Sequence, residues 1–233
     1  MKKIIAILAL SILVVACNSK KEGNMIVQGT IKGLKKGTLY LQKMQDSALV
    51  SIDSVAILGS EKFKLTDNVD SPVLYFLTFD GNTTDKRILF FGEKGIITIN
   101  DNIDQFGFNP EISGSKNQEI FDKYTNIDKK FQNLRLDFIK KDFDARKENN
   151  QELIKQLAID FQKLERRRVL FATNYAMTNP ESEASAYIAL TLNTASLKML
   201  DTINSSLSEK VKNSVYGKEL QKYISEIKES EKK

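Results

Sequence analysis

Histidine and tryptophan are missing from this 233-residue chain, and cysteine occurs once, at position 17. Without an imidazole there is no histidine general base, no nucleophile–histidine–acid triad and no histidine-ligated zinc site. One cysteine cannot form a Cys-x-x-Cys redox pair, and the lack of tryptophan removes the commonest stacking platform for sugars or bases, although tyrosine can stand in. Any reaction would have to use carboxylates, lysine, arginine, tyrosine or serine. The expectation is therefore a protein that is not an enzyme and holds no metal or cofactor, with a carboxylate-based hydrolase left open as the exception.

What is present starts with the export layout. Lys2 and Lys3 precede an unbroken apolar run over residues 4–16, which ends on the small Ala16 just before Cys17. A membrane-spanning helix needs about 20 apolar residues, so this run is a signal segment rather than a span. Val14, Val15, Ala16 and Cys17 resemble the lipobox of bacterial lipoproteins. That resemblance implies a thioether-linked diacylglycerol on Cys17, cleavage before it, and a further acyl chain such as palmitate on the new amino group. An ordinary cleaved signal with an incidental or buried free cysteine is the alternative. Two or more acyl chains, at about 0.8 kcal/mol per buried methylene, make a stable anchor. Residues 1–16 are then signal peptide and 17–24 a polar tether.

The formal net charge of +5 becomes +3 once Lys2 and Lys3 leave with the signal. That is too little to argue for nucleic acid.

From residue 25 the pattern is one of short apolar runs separated by turn residues, which reads as antiparallel β structure. Strands are expected at 25–32, 38–44, 48–58, 62–66, 73–80, 86–91 and 96–100, with turns at 33–37, 59–60, 80–82 and 92–95. Residues 73–79 are apolar on both faces, so that strand belongs in the middle of a sheet covered on both sides. Gln42, Asp53 and Lys64 are placed on half-exposed faces. The fold class is α+β: an antiparallel β-sandwich or open barrel over 25–112, then an all-helical part over 113–233.

In that second part Ser115 and Gln118 have the spacing of a capping box. Ile120, Tyr124, Ile127, Phe131, Leu134 and Phe138 follow at intervals of four and three, a heptad seam. After a polar break at 147–151 the seam resumes at Ile154, Leu157, Phe161, Leu164, Phe171 and Tyr175, giving an antiparallel helical hairpin over 116–177, about 45 Å long. Arg168 stands where the seam wants an apolar residue. Folding the hairpin on itself puts it beside Asp128, so either the two form an ion pair or Arg168 runs its aliphatic stem out to water. Asn179-Pro180 reads as the cap and first residue of the next helix, followed by short helices near 196–204 and 206–211 and a last one over 216–228.

Four other clusters have a chemical look. Asn100, Asn102, Asp104 and Glu111 sit at positions 1, 3, 5 and 12 of a calcium loop, but Gln105 occupies the position that needs glycine, so a solvated connection is the better reading. Residues 92–95 are glycine-bounded yet match no phosphate loop and read as a hairpin turn. Glu165-Arg166-Arg167-Arg168 reads as a solvated basic face, less readily as a contact for anionic head groups or an acidic partner. Asp80 and Asp85 flank a loop tip and could act as paired carboxylates, although turn acids are the commoner case.

Taken together, Asp53-Ser54-Val55, Phe63-Lys64-Leu65, Pro72 with Tyr75, 91–95 leading into 96–99, and 112–115 with Asn117-Gln118 resemble an uncharacterised lipoprotein module, domain of unknown function 4369. In Bacteroidota lipoproteins that module usually precedes a thioredoxin-like domain. The Cys-x-x-Cys of that domain is not among these residues, so the resemblance implies no thiol–disulfide activity here. The reading that follows is a lipid-anchored protein of the bacterial outer membrane, on its periplasmic face, that docks a protein or envelope polymer. The alternative is a small-ligand or glycan binder using an aromatic surface of the β domain.

Overall fold

The computed structural model describes residues 23–45, 48–80 and 86–231. The export segment, Cys17, most of the tether and Asp85 therefore lie outside the described residues. Eight strands come first: β1 Met25–Lys32, β2 Lys36–Gln45, β3 Ala48–Leu58, β4 Lys62–Asp67, β5 Val73–Phe79, β6 Arg87–Gly92, β7 Gly95–Asn102 and β8 Glu111–Ser113. Six helices follow: α1 Lys116–Lys147, α2 Gln151–Thr178, α3 Glu183–Leu190, α4 Leu197–Ser206, α5 Glu209–Lys212 and α6 Val215–Ser230.

The strands form two four-stranded sheets, ordered β4-β1-β7-β8 and β3-β2-β5-β6. All pairings are antiparallel except β1 with β7, which runs parallel. The two sheets face each other across one apolar core holding Val27, Ile97 and Ile99 from the first sheet and Leu39, Leu41, Tyr75 and Phe90 from the second. The architecture is thus a sandwich of open sheets rather than a closed barrel. Gly29 lets β1 and β7 approach: with φ +157°, a Cβ there would collide with the Ile99 carbonyl oxygen.

Strand β5 does lie inside its sheet, between β2 and β6. Tyr75 and Leu77 point into the sandwich core, while Leu74 faces the helices.

The segment at 92–95 is not a hairpin turn. It carries the chain from β6 in one sheet to β7 in the other. Gln42 and Asp53 are not on wet faces either, being only 6% and 9% exposed. The register of β2 against β3 slips between Leu41 and Gln42, and Gln42 is buried on the outer face of its sheet, the face it shares with Thr78. There its amide donates to Ser51 Oγ (2.9 Å) and accepts from the Thr78 hydroxyl (3.1 Å). Asp53 accepts from the backbone N–H of Thr66 at 3.0 Å, fastening β3 to β4 across the sheet boundary.

The helices have their own core, built from Tyr124 of α1, Ala172 and Ala176 of α2, Ile188 of α3, Leu200 of α4 and Leu220 of α6 among others. A third cluster joins the two halves. Phe91 of β6 is fully buried among Phe121, Tyr187 and Tyr216, meeting their rings edge-on at centroid distances of 5.4, 6.0 and 6.2 Å.

Two caps differ from the sequence reading. Ser115 Oγ accepts from the Gln118 N–H at 3.0 Å, but the Gln118 side chain does not fold back. Its oxygen accepts from the Phe91 N–H (2.8 Å) and its nitrogen donates to Asp122 (2.7 Å). Strand β6 is an edge strand, and a buried edge N–H needs a partner more than an exposed helix start does. The helix after Asn179-Pro180 begins three residues later than expected. Ser182 is its cap, accepting from the Ala184 N–H, and Asn179 instead closes α2 with its side-chain amide on the Tyr175 carbonyl oxygen.

Candidate functional site

A cleft of about 640 Å³ opens where the outer face of β2, β5 and β6 meets Tyr187 of α3 and the start of α6. Its floor follows from the apolar outer face of β5, and its far wall is positioned by two hydrogen bonds across the junction. The Leu74 N–H donates to Tyr216 Oη at 2.9 Å, and the Val215 N–H to Ser71 Oγ at 3.3 Å.

At one end Lys43, Asp67 and Tyr75 form a closed group. Lys43 Nζ lies 2.6 Å from Asp67 Oδ2 and 3.3 Å from Tyr75 Oη, and the Tyr75 hydroxyl donates to the same Asp67 oxygen at 2.6 Å. Burial first, and then the Asp67 carboxylate, push the Tyr75 phenol far above its ordinary range. Burial does the same to Tyr216. Both phenols are consequently neutral hydrogen-bonding groups at physiological pH rather than nucleophiles.

At the other end the exposed Arg87 guanidinium lies over the Phe76 ring, 4.6 Å from its centre. Glu219, whose carboxyl burial pushes upward, borders the same cleft. The lining is thus partly aromatic, with Arg87 as a presented cation, Glu219 as a reluctant anion and the exposed Asp70 at its rim.

A second polar cluster sits at the root of the hairpin. Glu93 accepts from the Lys116 N–H and from Asn117 Nδ2 (2.8 Å), placing a carboxylate at the start of α1. Asn117 Nδ2 also donates to Glu183 Oε2 (3.1 Å), and its oxygen accepts from the Ser182 hydroxyl (2.6 Å) and the Ala184 N–H (3.0 Å). Glu183, 1% exposed, takes its remaining charge partner from Lys210 Nζ at 3.1 Å. Glu183 Oε1 has that ion pair but no hydrogen bond, and the cluster clamps the β6–β7 link, α1, α3 and α5 together.

Along the hairpin, the structure brings Arg168 and Asp128 together. Arg168 Nε donates to Asp128 Oδ1 at 2.7 Å and Nη2 to Oδ2 at 3.2 Å. The carboxylate raises the guanidinium value further. Of the neighbouring basic run, Arg166 and Arg167 are exposed.

The remaining candidates have structural duties. Asn100 accepts from the Thr30 N–H, Asn102 caps a short 3₁₀ turn by accepting from the Asp104 N–H, and Glu111 opposes Asn100 across β7 and β8. Their oxygens are dispersed along a strand and a turn rather than converging. Among the described residues, no group of three or more metal-ligating acids, histidines or cysteines comes together. Asp80, at φ +44°, accepts from the Thr38 N–H and pins the edge of β2.

Sequence reasoning missed Asn117 and Glu183 as a buried network and Tyr216 as a cleft wall. The only available signals were a polar pair inside the first turn of α1 and a tyrosine at the start of the last helix. The Tyr216 contact spans 142 positions of chain, which no local pattern encodes.

These features define an α+β protein whose two-sheet sandwich carries a helical part through one aromatic junction. The sequence model of the family described as Domain of unknown function (DUF4369) matches residues 25–121, the sandwich together with the clamp that starts α1. The match ends on Phe121, the α1 residue that packs against Phe91. No curated protein and no solved structure matches the chain. No helix among the described residues is long and apolar enough to cross a membrane.

Proposed function

We propose that the protein is a lipoprotein anchored through Cys17 on the periplasmic face of the outer membrane, serving as a non-catalytic interaction module for a protein or envelope polymer. The observation that carries this reading is the outer half of the hairpin. Beyond the Arg168–Asp128 pair, α1 and α2 pack on each other alone, and large apolar side chains face outward. Ile159 does so on α2, and the exposed Leu170 continues its face nearer the root, with Arg166 between them. Single exposed hydrophobics are ordinary, whereas several along one projecting element are a contact surface.

The engagement of Glu93 and Glu183 by Asn117 at the hairpin root and the neutral phenols of the cleft support a binding role over a catalytic one. Pull-down from detergent-solubilised envelopes should recover a partner with the intact chain and lose it when residues 134–164 are replaced by a short turn. Equal recovery from both chains would refute the assignment of the hairpin. Mass spectrometry of the mature N-terminus should find an acylated Cys17.

A second reading is favoured by the cleft itself. Phe76, Tyr187 and Tyr216 with Arg87 suit a glycan or another small ligand that has a flat face and an anionic or hydroxyl group. Calorimetric titration with envelope saccharides should then give heat that Phe76→Ala abolishes.

A further inference from the structure

Leu136, Ile139 and Phe143 of α1 are 63%, 54% and 66% exposed. Spaced by three and four residues, they form one stripe that points away from α2. Ile139 also borders a groove of about 340 Å³ between the two helices, continuing the apolar surface onto Ala158 and Phe161.

Helical spacing places Lys140 and Lys147 along one margin of this stripe and Arg135 and Arg146 along the other. Arg146 is bonded to Asp142 (2.6 Å) and Arg135 lies 5.8 Å from the Phe161 ring centre. The two lysines have no carboxylate partner among the described residues. Asp144 follows Lys140 by four residues and precedes Lys147 by three, and Asp137 precedes Lys140 by three, so both acids lie beyond the lysine margin, outside the apolar stripe. Between the paired Asp128 and Arg168, residues 129–167 hold eleven basic and seven acidic side chains.

The path of the chain adds a second argument. The Gly95 N–H donates to the Asn24 carbonyl oxygen at 2.9 Å, and Glu93, two residues earlier, holds the start of α1. The segment leading to Cys17 thus enters the sandwich beside the root of the hairpin. Residues 17–24 span at most about 28 Å when fully extended.

We propose that this stripe of α1 is a membrane-contact surface, seating Leu136, Ile139 and Phe143 in an anionic phospholipid surface with Lys140 and Lys147 at the head groups. An apolar stripe edged by cations is what an interfacial helix presents to such a surface. A second copy of this chain is disfavoured, because it would set two positive hairpins against each other. The proposal deepens the reading above by assigning this face of the hairpin to lipid and leaving the α2 face with Ile159 and Leu170 to the partner. It rests on that reading for the nearness of the membrane alone.

The test uses residues 23–233, which contain both cores and all of the described elements and lack Cys17. Its outcome is therefore independent of acylation, which mass spectrometry decides separately. The chain should co-sediment with vesicles containing phosphatidylglycerol, bind pure phosphatidylcholine vesicles much less, and be released by salt. Ile139→Ser with Phe143→Ser, and separately Lys140→Glu with Lys147→Glu, should each weaken binding by roughly tenfold or more. Ile159→Ser with Leu170→Ser, of equal helix content by circular dichroism, should bind like the parent. Equal sedimentation with both vesicle types, or stripe variants that bind undiminished, would overturn the proposal. So would light scattering that shows a dimer broken by Phe143→Ser.

Discussion

The Arg168–Asp128 pair lends itself to a quantitative test, because it places a charge in a seam that is otherwise apolar. Both side chains are mostly buried, at 17% and 16% exposed. Removing one partner leaves the other charge desolvated without compensation, while removing both leaves an apolar seam. Asp128→Leu alone and Arg168→Met alone should therefore each cost about 2 kcal/mol, below the full penalty for a buried pair because some water remains in reach. The double variant should lie within about 1 kcal/mol of the parent. Urea unfolding followed by far-ultraviolet circular dichroism on all four chains gives the coupling directly. If the double variant loses as much as the two single variants combined, the charges act independently, and the account of the seam is wrong whatever the hydrogen-bond distances are.

Three further outcomes are expected. Asn117→Ala strands two carboxylates and the Ser182 hydroxyl and should cost about 3 kcal/mol, visible as a melting temperature lower by roughly 10 °C; a change within error would mean that the network is solvated. Phe91→Ala empties the aromatic junction and should cost about 3–5 kcal/mol. Calorimetry should then split into separate sandwich and helical transitions, which a single sharp peak would contradict. Stability should also fall at alkaline pH. Burial pushes Tyr124 up to about 12 from an ordinary 10.0, with Asp128 adding to the shift, and Tyr75 and Tyr216 lie higher still. Below pH 10 the phenols are protonated in both folded and unfolded chains, so their contribution is fully present. As pH rises from 10 through 12 the unfolded chain releases these protons first, and the contribution of Tyr124 is lost. Spectrophotometric titration should show these tyrosines ionising together with unfolding, whereas smooth titration near pH 10 in the folded chain would refute their burial.

Most strand positions could be read from the sequence because alternation and turn residues are local signals, and seven of the eight strands fall where those signals put them. Strand β8 is only three residues long and carries no periodicity of its own. The hairpin was legible for the same reason: a seam repeating over about five turns in each helix needs no tertiary information to be seen. Ile127 and Leu134 nevertheless remain exposed, because a two-helix layer buries one line of residues and has no third helix to cover the next. The start of α3 was misplaced because Asn179-Pro180 has the right residue types, while the decisive bond, from the Ser182 hydroxyl to Asn117, comes from another helix.

By itself the sequence determined the division into a strand-rich and a helix-rich part, the sites of most turns, and the exclusion of histidine and dithiol chemistry, since composition and periodicity are properties of the chain alone. Only the tertiary structure decided which strands share a sheet, that β1 and β7 run parallel, that Gln42 and Asp53 are buried, and that Tyr216 closes a cleft against a strand far behind it in the chain. Those outcomes depend on which buried donors and acceptors find partners, and such partners are set by the packing of distant segments rather than by neighbours along the chain.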